Sequence, residues 1–156
     1  MLKFVLLLLF FRQEESLLEK IEREISGVVK KVRPAVVAIE VRTILRPEPQ
    51  IELDQVLRLS GIVYRRDGYI VTDAGPLAEA TSIRVTFWDG RTLEARLVAA
   101  DLKTGLAVLR VDAQDLAAAE LGKSADLKAG SFAIAVGNAH GLQGSASVGT
   151  VSGSHR

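Results

Sequence analysis

A chain of 156 residues, 48% of them hydrophobic, is long enough for one ordinary domain with a buried core. Its 20 Lys and Arg nearly balance 19 Asp and Glu, so no basic excess points to nucleic acid. There is no cysteine, which excludes disulfides and thiolate metal sites. The two histidines, His140 and His155, lack the spacing of a metal-ligand pair, so no metal and no cofactor is expected.

Lys3 precedes the apolar run 4–11 and Arg12 follows it, the pattern of a charged n-region and an apolar h-region. The run is shorter than the roughly 20 apolar residues of a membrane-spanning helix, and no small-x-small cleavage site follows. Residues 1–12 are therefore expected to be a signal-like or anchor segment. Peripheral membrane contact by residues 4–11, or extension of the neighbouring helix, are the alternatives. Residues 13–33 predict an amphipathic helix. Leu17, Leu18, Ile21, Ile25, Val28 and Val29 recur at three- and four-residue spacing. Glutamates populate its start and Lys30 and Lys31 its end, as the helix dipole favours. Pro34 stops the helix and is expected to push Arg33 into extended geometry. The apolar stripe suits packing against the domain, and equally an oligomer contact.

From residue 35 the period changes to that of strands. Residues 35–45 predict a first strand, and 46–55, with Pro47 and Pro49, a loop. Strands over 59–66 and 69–73 flank Asp67-Gly68, a hairpin signal. In 81–88, Ile83, Val85 and Phe87 share one face, and Asp89-Gly90 makes a second tight turn. Leu93, Ala95, Leu97 and Ala99 line one face of the next strand. The run 105–111 is more continuously apolar and predicts a buried strand. Residues 113–130 read as a connector, followed by strands near 131–136 and 145–154 around a turn at Gly137-Asn138-Ala139-His140. Short strands punctuated by turns indicate an all-β barrel or sandwich.

Three segments carry more than periodicity: Asp67-Gly68-Tyr69-Ile70-Val71-Thr72-Asp73-Ala74-Gly75-Pro76-Leu77, then Trp88-Asp89-Gly90-Arg91, then Asp101-Leu102-Lys103-Thr104-Gly105-Leu106-Ala107-Val108-Leu109-Arg110. Together they resemble the first barrel of HtrA/DegP-type trypsin-like serine proteases. The likeness extends from about residue 25 to 156. It takes in Val28–Ile39 leading into the first strand, the connector Leu121–Gly130 and the segments Ser131–Leu142 and Ser145–Ser154. The resemblance implies a chymotrypsin-fold Greek-key barrel at 34–112 behind an N-terminal helix. It implies a connector over 113–130 and a second barrel of which 131–156 supply only the start. It also implies export to the periplasm or membrane association, a protein or unfolded polypeptide as partner, and homo-oligomers built through the N-terminal segment.

In the resembled family the first segment reads like D-G-Y-I-V-T-N-x-H-V and the third like D-x-x-T-D-L-A-V-L-K. Its general-base His falls at Gly75 and the Asp that orients it at Gly105. The G-N-S-G-G nucleophile loop does not occur in the chain. Acyl transfer by this machinery needs a hydroxyl nucleophile, an imidazole base and an orienting carboxylate, and glycine supplies none of these. Asp73 is two positions from Gly75, and a carboxylate of ordinary pKa is a poor base for a hydroxyl. Asp101 suits a surface turn, His140 a loop, and His155 lies at the chain end. Ser152 and Ser154 lack any nucleophile motif. Locally, Gly75 suits a turn with positive φ, and Gly105 a close backbone approach before a strand. No catalytic residue is assigned. Three functional readings stand: an inactive HtrA/DegP-like domain that binds protein segments, part of an endopeptidase completed by further polypeptide, and a structural β-domain or decaying gene product.

Overall fold

The structure, a computed structural model, describes residues 16–48, 51–139 and 142–153. The expectations for residues 1–12, His140, Ser154 and His155 fall outside these. Among the described residues no helix is long and apolar enough to cross a membrane.

Helix α1 spans Leu17–Val32. Ser16 caps it reciprocally: its Oγ accepts from Glu19 N at 3.2 Å, and Glu19 Oε2 accepts from Ser16 N at 2.7 Å. This capping box satisfies two of the donors that a helix start leaves unpaired. No residue of α1 is buried. A 3₁₀ turn, Arg33–Ala35, ends the helix at Pro34. Arg33 keeps right-handed geometry (φ −49°, ψ −38°) and donates its N–H to Val29 O. This corrects the expectation of an extended Arg33. The helical bond to Val29 outweighs the steric bias that Pro34 places on the residue before it.

Six antiparallel strands then close a barrel in the order β1-β2-β3-β6-β5-β4, with β4 returning to β1. They are β1 (Val36–Glu48), β2 (Ile51–Arg65), β3 (Tyr69–Asp73), β4 (Ala80–Thr86), β5 (Thr92–Asp101) and β6 (Leu106–Val111). Closure removes the exposed edges that an open sheet presents. Val37, Ile39, Val41, Val63, Ile70, Val85, Leu109 and Val111 fill the interior and are fully buried. Gly61 lies among them. A Cβ there would stand 2.5 Å from Ile39 Cδ1 and 2.9 Å from Ile70 Cγ2, so the packed interior has no room for one.

Several boundaries differ from the sequence reading. The loop expected over 46–55 is largely strand, because β1 runs to Glu48 and β2 starts at Ile51. Pro47 falls at a register shift between Leu45 and Glu48, beyond the reach of β4, where no ladder bond is asked of it. The face expected along β5 breaks at a second shift between Leu97 and Ala99, which leaves Leu97 exposed. Strand β6 is buried on alternate residues rather than throughout: Ala107, Leu109 and Val111 face inward, while Leu106 is exposed.

After β6 the chain packs on the barrel before leaving it. Leu116 is buried and donates its N–H to Arg66 O, and Ala119 N donates to Val63 O. Strands β7 (Phe132–Ala139) and β8 (Leu142–Thr150) form a separate two-stranded sheet. Gly137, Asn138 and Ala139, expected in a turn, belong to β7, with a register shift between Gly137 and Asn138.

Candidate functional site

The site begins where β3 and β6 run side by side. Their register pairs Asp73 with Leu106, so the residues just beyond this pair are neighbours. Ala74 N donates to Gly105 O at 2.9 Å. The fold therefore brings together the segments that hold Gly75 and Gly105, the two positions singled out in the sequence.

The two glycines differ in what holds them. Gly75 opens the 3₁₀ turn Gly75–Leu77 and does not have positive φ, contrary to expectation. Its N–H donates to Asp73 Oδ1 at 2.9 Å, so a side-chain acceptor shapes this turn rather than a left-handed residue. A Cβ at Gly75 would meet only Asp73 Oδ1, at 3.6 Å, which is ordinary contact. Gly105 has φ +75°, the left-handed region that favours glycine. A Cβ there would have nothing within 4 Å, so backbone conformation and not crowding distinguishes this position.

The neighbouring carboxylates serve the turns. Asp101 Oδ1 accepts from Lys103 N at 2.9 Å and Oδ2 from Thr104 Oγ1 at 3.0 Å. The Lys103 N–H, followed by the Thr104 hydroxyl, holds the Asp101 carboxyl below the usual carboxylate range. That favours the charged acceptor and works against proton uptake near neutral pH. Ser152 is exposed beyond the end of β8. Among the described residues no group of three or more His, Cys, Asp and Glu could hold a metal ion.

A groove of about 600 Å³ reaches the site from the side of β2. Arg58, Ser60, Asp73 and Asn138 contribute its polar lining. Asn138 is buried and clamps β7 to β2: its N–H donates to Ser60 Oγ at 2.7 Å and its Nδ2 to Leu59 O at 3.3 Å. Its Oδ1 is buried with no partner among the described residues. Thr72 Oγ1 donates to Ser60 O at 2.8 Å and ties β3 to the same point. Reading the sequence missed this clamp, because Ser60 and Asn138 are 78 residues apart and Asn138 reads locally as a turn residue.

The model of the trypsin-like peptidase domain matches residues 59–156, more than half of the chain. The chain belongs to the trypsin-like peptidase domain family. Among curated relatives, a probable periplasmic serine endoprotease DegP-like protein of Halomonas elongata is 45% identical over 97 residues, covering 62% of this chain and 20% of its own. One of the same description from Chlamydia muridarum is 35% identical over 111 residues, covering 71% of this chain and 22% of its own. The chain thus spans about a fifth of the length of these relatives. Their names place them in the periplasm, in agreement with the expectation of an exported chain. The HtrA-type protease AlgW solved with a decapeptide superposes with TM-score 0.71 at 27% identity, over 82% of this chain and 45% of that one. AlgW with a tripeptide gives 0.74 at 29%, over 83% and 40%. The trypsin-like barrel and the HtrA/DegP relationship expected from the motifs are thereby established.

Proposed function

We propose that this trypsin-like domain is a catalytically inactive HtrA/DegP-like form whose remaining capacity is to bind protein segments. One observation carries the reading: the segments that hold Gly75 and Gly105 are joined by the hydrogen bond from Ala74 N to Gly105 O. By resemblance, those positions belong to the general base and the carboxylate that orients it. Here they hold two glycines, with no imidazole to take a proton and no carboxylate to fix one. Asp73 Oδ1 accepts from the Gly75 N–H and so shapes this turn. The absence of a side chain at Gly75 is not a packing requirement, because a Cβ fits there. The groove beside Asp73 and Asn138 gives a polypeptide a place to lie, and the AlgW structures carry bound peptides.

The test uses unfolded casein and the full chain. Binding without release of fragments is expected. Cleavage above a blank, inhibited by a serine-directed fluorophosphonate that labels this chain, would refute the inactive reading. Absence of any binding would refute the binding half alone.

A second reading makes the chain part of an endopeptidase completed by further polypeptide. What favours it is the exposed apolar surface of Phe132 and Val148 on the β7–β8 sheet. Completion would cover that surface and would still leave Gly75 and Gly105 without their side chains.

A further inference from the structure

A cleft of about 630 Å³, remote in sequence from Gly75 and Gly105, opens where α1, the end of β4 and β8 meet. Its volume is in the range of small-molecule sites. Ile25, Val29, Trp88 and Ala146 form its apolar walls, and Lys30 and Arg33 bring two positive charges to it. The Arg33 guanidinium lies over the indole of Trp88, with Cζ 3.3 Å from the ring centroid. Arg33 Nε is buried and has no acceptor among the described residues.

Several other basic residues are neutralised by a carboxylate close by. Arg65 pairs with Asp67, Arg84 with Glu40 and Arg91 with Asp89, while Lys31 pairs with Glu120. Neither Arg33 nor Lys30 has a carboxylate partner among the described residues. The surrounding backbone is fixed at Arg33 and packs closely on its side chain. Arg33 keeps its helical bond to Val29 instead of extending before Pro34. Gly144 has φ +77°, and a Cβ there would collide with Arg33 Nε. Two cations with no carboxylate partner among the described residues, at the mouth of an apolar cleft, make a site for an anion with an apolar body.

We propose that this cleft binds a monocarboxylate on an aliphatic chain. Arg33 and Lys30 hold the carboxylate, and Ile25, Val29, Trp88 and Ala146 cover the chain. An aliphatic body fits better than a peptide. Peptide amides need hydrogen-bond partners when buried, and the lining offers few neutral side-chain ones, the Ser26 hydroxyl and the Trp88 indole N–H. The proposal does not depend on whether the domain is proteolytically inactive.

Trp88 is the only tryptophan, so its fluorescence reports the cleft directly. The full chain is titrated with decanoate below its micelle-forming range, and with decanol and acetate as controls. Decanoate is expected to shift Trp88 emission saturably, and neither control is. Arg33→Gln is expected to weaken decanoate by about tenfold or more, the effect of losing a charge-assisted hydrogen bond. Ala146→Phe, which fills the cleft without removing a charge, is expected to abolish the shift. Saturation by decanol as strong as by decanoate would overturn the proposal, as would unchanged affinity in a folded Arg33→Gln. If Arg33→Gln does not fold, Lys30→Gln and Ala146→Phe decide it, and full-strength binding in both would overturn it.

Discussion

At the residue scale, the glycines separate into those the backbone requires and those it tolerates. Gly68 has φ +102°, and a Cβ there would collide with the carbonyl oxygen of Val111, the residue whose N–H donates to Gly68 O. Gly75 is free of both constraints. Gly75→His should therefore leave the thermal midpoint within a few degrees, whereas Gly68→Ala should destabilise by about 2 kcal/mol or more. Thermal unfolding followed by circular dichroism compares the two directly. A collapse of Gly75→His equal to that of Gly68→Ala would mean that packing, not chemistry, dictates glycine at position 75. The motif drew attention to Gly75 and Gly105 as positions where the resembled family is expected to carry side chains. It did not reveal that one is conformationally free and the other left-handed, because φ is set by the turn that the whole barrel imposes.

At the element scale, two features can be tested apart from the core. Helix α1 buries no residue, so its order depends on local terms such as the Ser16–Glu19 capping box. Ser16→Ala should cost the helix about 1 kcal/mol and lower helical ellipticity, with the barrel's unfolding midpoint nearly unchanged. A matching fall in the barrel midpoint would show that α1 is coupled to the core. The second feature is the β1–β4 seam that closes the barrel, where Glu40 is paired in register with Arg84 and bonded to its guanidinium. That hydrogen bond, opposed by partial desolvation and aided by the charges of Arg84, Arg42 and Arg58, holds the Glu40 carboxyl below its ordinary value. A depressed carboxylate pKa contributes stability that is present above the unfolded-state value of about 4.3 and is lost as pH falls through the folded-state value. Glu40→Gln should therefore lose about 0.2–1 kcal/mol near pH 7, the range of partly exposed pairs. It should also show a shallower loss of stability below about pH 4.5. Denaturant midpoints across pH 3–7 measure both, and parallel pH profiles for the two proteins would refute the assignment.

At the scale of the whole molecule, a closed barrel carries a helix and a two-stranded sheet that contribute little to its core. The sheet is fastened to β2 through Ser60 and Asn138. Ser60→Ala would leave the buried Asn138 N–H without its acceptor, at a cost of about 1–3 kcal/mol. Amide exchange in β7 and β8 should accelerate by about fivefold or more while exchange in β1–β6 stays the same. Hydrogen exchange with mass spectrometry resolves the two regions. Uniform acceleration would mean that the sheet and barrel unfold as one unit.

What the sequence determined by itself rests on short-range physics. The helix period over 17–32, the turn glycines at 68 and 90 and the alternation of Ile83, Val85 and Phe87 all depend on residues a few positions apart. The linked motifs added the family, through their resemblance to the first barrel of HtrA/DegP-type proteases. Tertiary structure decided the rest. Strand ends shifted where β-bulges and the reach of β4 let Pro47 and Ala139 join strands. The joining of the Gly75 and Gly105 segments, the Ser60–Asn138 clamp and the cleft at Arg33 and Trp88 were likewise decided there. Each joins segments far apart along the chain. Their contacts exist only once barrel closure has offset the entropy of bringing those segments together.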